Sequence, residues 1–146
     1  MGVVGPGDDA TAADLQAARQ VGRLLADHGA ILVCGGLGGV MAAACEGAAE
    51  KGGLTVGLLP GTDRAKGNAY LTIALPTGIG ELRNGLLVRA CDAVIAIGGS
   101  WGTLSEIALA KKTGKPVITI SGWTIDGHLD STALTPEEAV NLAVGG

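Results

Sequence analysis

The segment Gly98-Gly99-Ser100-Trp101-Gly102-Thr103 leaves an apolar run and leads into a helical pattern. Glycine lets a backbone come close to a ligand, and a helix start offers unpaired N–H groups with a partial positive charge. Together they make an anion site suited to a phosphate, to which the hydroxyls of Ser100 and Thr103 contribute. Four small or glycine residues within five positions exceed what a plain tight turn requires. Arg83 lies in the first turns of an earlier predicted helix, at the same edge of the expected sheet. It can clamp a phosphate in a bidentate way; a solvated arginine on a helix face is the plainer alternative. Glu106 closes the string Thr103-Leu104-Ser105-Glu106, which reads as a capping box. A first-turn Glu beside an anion site can also hold a ribose hydroxyl or orient water, and the sequence leaves the two readings open.

Other candidates are weaker. Gly35-Gly36-Leu37-Gly38-Gly39 is a second glycine turn before a helix, on the same edge. Asp63 and Asn68 fall in a polar loop and are candidate parts of a lid. His28 suits a helix end, where a cation meets the dipole. His128 stands alone near Asp126 and Asp130, and no metal site is expected there.

Two common phosphate motifs fail on their residues. Gly5-Pro6-Gly7-Asp8-Asp9-Ala10 loosely fits the dinucleotide fingerprint, but that motif needs an acidic residue at the end of the second strand. That strand ends at Cys34-Gly35, and Asp8 and Asp9 would face the pyrophosphate. Gly36-Leu37-Gly38-Gly39-Val40-Met41 puts Met where the third Gly belongs. No Gly-Lys-Ser/Thr exists, so the Walker A pattern is absent.

Positioning these turns requires a sheet with helices between its strands, and the 146 residues read that way. A chain of this length buries roughly 70 % of its unfolded surface, so a core needs no staples. Apolar residues make up 47 %, yet Phe is absent and only Tyr70, Trp101 and Trp123 are aromatic. The core is therefore aliphatic. The 26 glycines punctuate apolar runs rather than recurring at a period. Predicted strands are Gly2–Val4, Ala30–Cys34, Leu54–Leu59, Tyr70–Leu75, Asp92–Ile97 and Lys115–Ile120. Predicted helices span about Thr11 to His28, Val40 to Lys51, the Pro76–Gly80 turn to Cys91, and the Gly98–Gly102 turn to Thr113. Thr135-Pro136-Glu137-Glu138 opens a last one with a capping box. Strands buried on both faces and separated by helices imply a parallel, doubly wound sheet. The expectation is one α/β domain over residues 1–146, Rossmann-like, with a mainly parallel sheet of about six or seven strands and helices on both faces. Ligands bind such sheets beyond the carboxyl ends of the strands, which selects the loops after strands one, two, four and five.

The net charge is −4 and the pI about 5.0, with no Lys/Arg stripe. Nucleic acid and anionic membranes are thus unexpected partners. Cys34, Cys45 and Cys91 match no metal or disulfide framework and are expected to be buried, reduced thiols. No signal peptide and no apolar span of 18 residues is present, so a cytoplasmic location is expected. The chain begins almost directly on a strand, so a few preceding residues are also expected.

The segments Gly35–Met41, Thr77–Asn84 and Gly98–Glu106 resemble, in order and spacing, the Lonely Guy (LOG) superfamily across about residues 1–122. The nearest branch in pattern is the molybdenum cofactor carrier-like proteins. LOG enzymes, often mislabelled as lysine decarboxylases, carry P-G-G-x-G-T-x-x-E with an upstream Arg. The resemblance implies a Rossmann-like fold, a dimer or higher oligomer, and a 5′-phosphate held at the glycine turn. It also implies ligand contacts at Gly5, Gly36, Gly38, Gly39, Met41, Thr77, Gly78, Arg83, Asn84, Gly98, Gly99, Ser100, Trp101, Gly102, Thr103 and Glu106. In the enzymes the residues matching Arg83 and Glu106 act on the N-glycosidic bond of nucleoside 5′-monophosphates. The carrier branch instead holds molybdenum cofactor, a phosphorylated pterin, without turning it over. Here Gly98 stands where the enzymes have Pro, Ser100 replaces the second Gly, and Asn84 replaces the Lys after the Arg. The first expectation is therefore a carrier for a phosphorylated pterin or nucleotide, requiring no cofactor of its own. A phosphoribohydrolase is the alternative.

Overall fold

Short runs such as Val3-Val4 and Val94-Ile95-Ala96-Ile97 have no polar face, so both faces of the strands they form must be covered. The computed structural model describes residues 1–129 and 131–146; Asp130, named above beside His128, lies outside the described residues. Seven strands form one sheet: β1 (Gly2–Val4), β2 (Leu32–Cys34), β3 (Thr55–Leu59), β4 (Ile73–Pro76), β5 (Val94–Ile97), β6 (Val117–Ile120) and β7 (Ser131–Ala133). Their order is β4-β3-β2-β1-β5-β6-β7, and every pairing is parallel. The chain builds outward from β1 to β4, then restarts at β5 and builds the other way. The crevice of a doubly wound fold thus lies between β1 and β5.

Among the described residues five helices cover the sheet: α1 (Ala12–Asp27), α2 (Val40–Glu50), α3 (Arg83–Ala90), α4 (Trp101–Lys112) and α5 (Pro136–Val144). One core layer joins α1, α2 and α5 to Val3, Leu32, Ile95, Ile97 and Ile118. The other joins α3 and α4 to Val4, Val94, Ala96 and Val117. Successive strand residues face opposite layers, which is why Val3 and Val4 fall in different cores. No helix among the described residues is long and apolar enough to cross a membrane.

Several predicted boundaries move, each for a local reason. The fourth strand begins at Ile73, not Tyr70, because side chains take the preceding amides. Asn68 Oδ1 accepts from Tyr70 N at 3.0 Å and Thr55 Oγ1 from Thr72 N at 2.8 Å. The helix expected from the Pro76–Gly80 turn begins only at Arg83, after a single 3-10 turn over Gly80–Leu82. Gly78 and Gly80 have φ of 68° and 61°, outside the right-handed helical region. The last helix keeps half of its expected capping box. Thr135 Oγ1 accepts from Glu138 N at 3.2 Å, but the Glu138 carboxylate takes the amide of Leu134. A complete box appears instead at α1, where Thr11 and Asp14 exchange side-chain-to-backbone bonds of 3.1 and 3.0 Å.

Helices α1 and α2 touch backbone to backbone. A Cβ on Gly22 would stand 2.9 Å from the Ala44 carbonyl carbon, and one on Gly47 2.8 Å from that of Arg19. Ion pairs Arg19–Glu46, Arg23–Glu50 and Lys51–Asp27 flank this seam on the surface. Exposed pairs of this kind contribute at most about 1 kcal/mol, so the glycine contact sets the helix separation. Gly22→Ala improves helix propensity by about 1 kcal/mol, but it drives a methyl group into a carbonyl that no rotamer change can clear. Overpacking costs roughly 1–3 kcal/mol where side chains can yield, and backbone yields less. Gly22→Ala is expected to lower the urea midpoint, with a net loss of about 2 kcal/mol; an unchanged midpoint would show that the helices separate freely.

Candidate functional site

The turn after β5 begins at Gly98, whose φ is 68°. Its N–H donates to Ile120 O at 3.0 Å, and a Cβ there would lie 2.9 Å from Asp14 Oδ2. Proline requires φ near −65° and has no N–H, so this turn excludes it. Ser100 then caps α4. Its Oγ accepts from Thr103 N at 3.2 Å and shares a 2.8 Å bond with Thr103 Oγ1. The cap takes the third amide of the helix; those of Trp101 and Gly102, at its first two positions, have no acceptor within the helix. No acidic residue sits in the first turn.

This start corrects the expected capping box at Thr103–Glu106. The helix begins three residues earlier, so Thr103 belongs to its first turn and Glu106 to its second. Both point inward, at 1 % and 8 % exposure. Glu106 caps nothing; it is a buried carboxyl beside Arg83. Burial pushes its pKa up to about 7, and the Arg83 charge works in the opposite direction.

Arg83, the first residue of α3, is only 9 % exposed. Its Nη1 donates to Asn84 Oδ1 at 2.6 Å and its Nη2 reaches Gly35 O at 3.4 Å. Its Nε is buried with no hydrogen-bond partner among the described residues. Burial lowers its pKa, while Glu106, Cys34 and Glu81 pull it up. Asn84 Nδ2 donates to Ser105 Oγ at 3.2 Å, and Ser105 Oγ donates to Gly102 O at 2.7 Å. A continuous polar chain therefore runs from Arg83 to the first turn of α4. On the other side, a Cβ on Gly35 would sit 2.8 Å from both Arg83 Nη2 and Met41 Sδ. Arg83 thus bridges the turn after β2 and the start of α4.

The glycines divide into two groups. A Cβ on Gly5 would meet Ile97 O at 2.5 Å; one on Gly36 would meet Leu59 Cδ2 at 2.7 Å; one on Gly39 would meet Pro6 O at 2.5 Å. These positions are bare because chain packs against chain. Gly38 has nothing within 4 Å, the nearest atom to a Cβ on Gly99 is 3.5 Å away, and that on Gly102 is 3.9 Å away. This second group has open space beside the backbone. Thr77 and Gly78 are engaged elsewhere: the Thr77 hydroxyl donates to Leu59 O at 2.7 Å and Gly78 N to Gly61 O at 2.9 Å. They brace the β3–β4 edge, three strand spacings or about 14 Å from β1. Asn68 donates from Nδ2 to Leu37 O at 3.1 Å and from its backbone to Gly36 O at 2.9 Å, so it braces the second glycine turn. Asp63 caps a 3-10 turn over Arg64–Lys66.

Two residues outside the expected set, Asp14 and Trp123, join the site, together with Gly35 of the second glycine turn. Gly35 carries Arg83, and Asp14 packs under Gly98. Trp123 donates from Nε1 to Ser100 O at 2.8 Å, and its ring lies 5.3 Å from that of Trp101. The Thr11-x-x-Asp14 spacing could have flagged the first-turn carboxylate of α1; nothing local marks Trp123. All three cysteines are buried free thiols. Cys34, beside Arg83, shares a 3.5 Å contact with Cys45. That hydrogen bond, with burial, holds the Cys34 thiol well above its usual range.

Glu106 binds its proton more tightly in the folded chain than in the unfolded one. Stability therefore falls as pH rises from about 4.5 to about 7, and the loss is complete above that window. The full effect is about 3 kcal/mol. Glu106→Gln is expected to stabilise the protein at pH 8 by about 1–3 kcal/mol, since Arg83 also loses its counter-charge, and to make no difference at pH 4. Thermal unfolding at the two pH values checks this; an equal gain at both would show that charge is not the cause.

The profile of the SLOG cluster4 family matches residues 1–143. An uncharacterized protein of Archaeoglobus fulgidus is 42% identical over 154 residues, covering 99% of this chain and 93% of its own. Among solved structures, the molybdenum cofactor binding protein of the phototrophic bacterium Rippkaea orientalis superposes with a TM-score of 0.93 at 39% identity, over 99% of this chain and 94% of that one. The molybdenum cofactor carrier protein of Chlamydomonas reinhardtii gives 0.91 at 34% identity, over 99% and 94%. With nearly its whole length matched by one family profile, and the turns at Gly35–Gly39 and Gly98–Thr103 inside the match, the chain belongs to the SLOG cluster4 family.

Proposed function

We propose that this chain is a carrier that holds a phosphorylated pterin, the molybdenum cofactor, without converting it. The observation that carries the reading is Arg83 Nε, a buried donor with no partner among the described residues, between two helix starts. An unsatisfied buried donor destabilises a fold by about 1–3 kcal/mol unless an acceptor arrives. A phosphate oxygen is such an acceptor. The amides of Trp101 and Gly102 supply further donors, and the dipole of α4 favours the negative charge. Gly38, Gly99 and Gly102 leave room for it to approach the backbone. The proteins of R. orientalis and C. reinhardtii, named for molybdenum cofactor, have the same fold over almost the whole chain.

The departures from the hydrolase pattern support holding over turnover. Asn84, in place of a lysine, engages Nη1 of Arg83 and ties it to Ser105. A fixed guanidinium suits steady binding. One observation favours the second reading: Glu106, with a pKa near 7, is able to exchange a proton at neutral pH, as a glycosidic hydrolase needs.

Titration with molybdenum cofactor, AMP and inorganic phosphate tests the reading, followed by calorimetry and by thermal shift. Binding tighter than about 1 mM for a phosphorylated ligand, with a rise in the unfolding midpoint, is expected. Arg83→Ala is expected to weaken it by roughly 10- to 100-fold, the worth of a hydrogen bond to a charged group. Release of free adenine from AMP, abolished by Glu106→Gln, would replace the carrier with a hydrolase. No binding of any of the three would remove both.

A further inference from the structure

Trp101 is 78 % exposed, although it is the first residue of α4. The chain has no Phe and three aromatic residues in all, and two of them stand together at this turn. The ring centroids of Trp101 and Trp123 are 5.3 Å apart and the planes are tilted by 45°. Tilted pairs leave ring faces open at an angle, unlike a closed stack. Trp123 is fixed by its 2.8 Å bond to Ser100 O, the residue that caps α4. A shallow depression lined by Gly99, Ser121, Gly122, Trp123 and Thr124 opens beside it.

The chain after β6 is forced into this place. Ser121 has φ 50°, the only positive value among the described non-glycine residues. That conformation is uncommon for a residue with a Cβ. Gly122 follows, where a Cβ would stand 2.8 Å from the Gly98 carbonyl carbon. Both features deliver Trp123 to the edge of the Gly98–Thr103 turn. None of the five lining residues carries a charge, and Arg83 is not among them. An uncharged aromatic corner next to an anion seat suits the flat part of the same ligand.

The geometry points to the Trp101–Trp123 corner as the seat of a planar heteroaromatic ring, with Trp101 as its stacking face and Trp123 as the positioning residue that fixes the corner's angle. This rests on the phosphate seat described under Proposed function. It makes the corner the part that separates ring-bearing phosphates from plain sugar phosphates. Stacking on one aromatic side chain contributes about 1–3 kcal/mol per ring, a preference of roughly 5- to 150-fold.

The test compares 6-hydroxymethylpterin phosphate, AMP and ribose 5-phosphate on the full chain. The two ring ligands are expected to bind at least about tenfold tighter than ribose 5-phosphate. Trp101→Ala is expected to remove that advantage, and Trp101→Phe to keep most of it; circular dichroism confirms that each variant is folded. Indole fluorescence of the parent protein is expected to be quenched by both ring ligands and not by ribose 5-phosphate, and the quenching to be lost in Trp101→Ala. Trp123→Phe, which lacks the bond to Ser100 O, is expected to weaken the ring ligands and not ribose 5-phosphate. Equal affinities for all three ligands, or ring ligands that ignore Trp101→Ala, would overturn the corner's role and leave the phosphate seat standing. If the parent protein binds none of the three, the phosphate seat and the corner fall together.

Discussion

Three backbone turns meet at the carboxyl edge of the sheet at glycines too crowded to carry a side chain. Val40 N donates to Pro6 O at 3.0 Å, joining the start of α2 to the turn after β1. Gly5 leaves no room for a Cβ against Ile97 O, so the turn after β1 rests on the end of β5. Gly98 in turn lies on the Asp14 carboxylate of α1 and bonds to Ile120. This contact brings the starts of α2 and α4 to opposite sides of one crevice. Everything proposed for the site depends on that spacing. The strand order supplies it, because the direction of chain growth reverses between β1 and β5.

Within the crevice the electrostatics are balanced rather than simply positive. Arg83 and Glu106 share a region from which water is largely excluded, and each charge there is costly without the other. Burial pushes Glu106 toward its neutral form and Arg83 away from its usual strong basicity. In the proposed site a phosphate would supply the acceptor that Arg83 Nε lacks, and it would add a negative charge beside Glu106. The protonated carboxyl would be the form compatible with that anion, so proton and ligand would favour one another.

The three departures from the LOG enzyme pattern each have a structural role in this chain. Gly98 adopts a backbone angle closed to proline. Ser100 supplies the cap of α4 that a glycine could not. Asn84 links Arg83 to Ser105 and so to the first turn of α4. They form one self-consistent arrangement, in which the guanidinium is fixed and two helix amides have no acceptor within the helix.

The sequence determined the fold class and most of the elements, because apolar runs of period-free burial and glycine stops are local signals. It also marked the two glycine turns, Arg83 and Glu106. It misplaced the cap of α4, since Ser100 and Thr103 are equally good capping residues and only the observed start chooses between them. It did not show the bonds of Thr77 to Leu59 and of Gly78 to Gly61, which cannot be seen from their neighbours in the chain. It missed β7, three residues with little apolar content, and Trp123, whose partner Ser100 is 23 positions away. Tertiary structure alone decided which glycines border open space and which are packed against the chain. That difference lies in what stands within 4 Å of an absent Cβ, and residue identity carries no record of it.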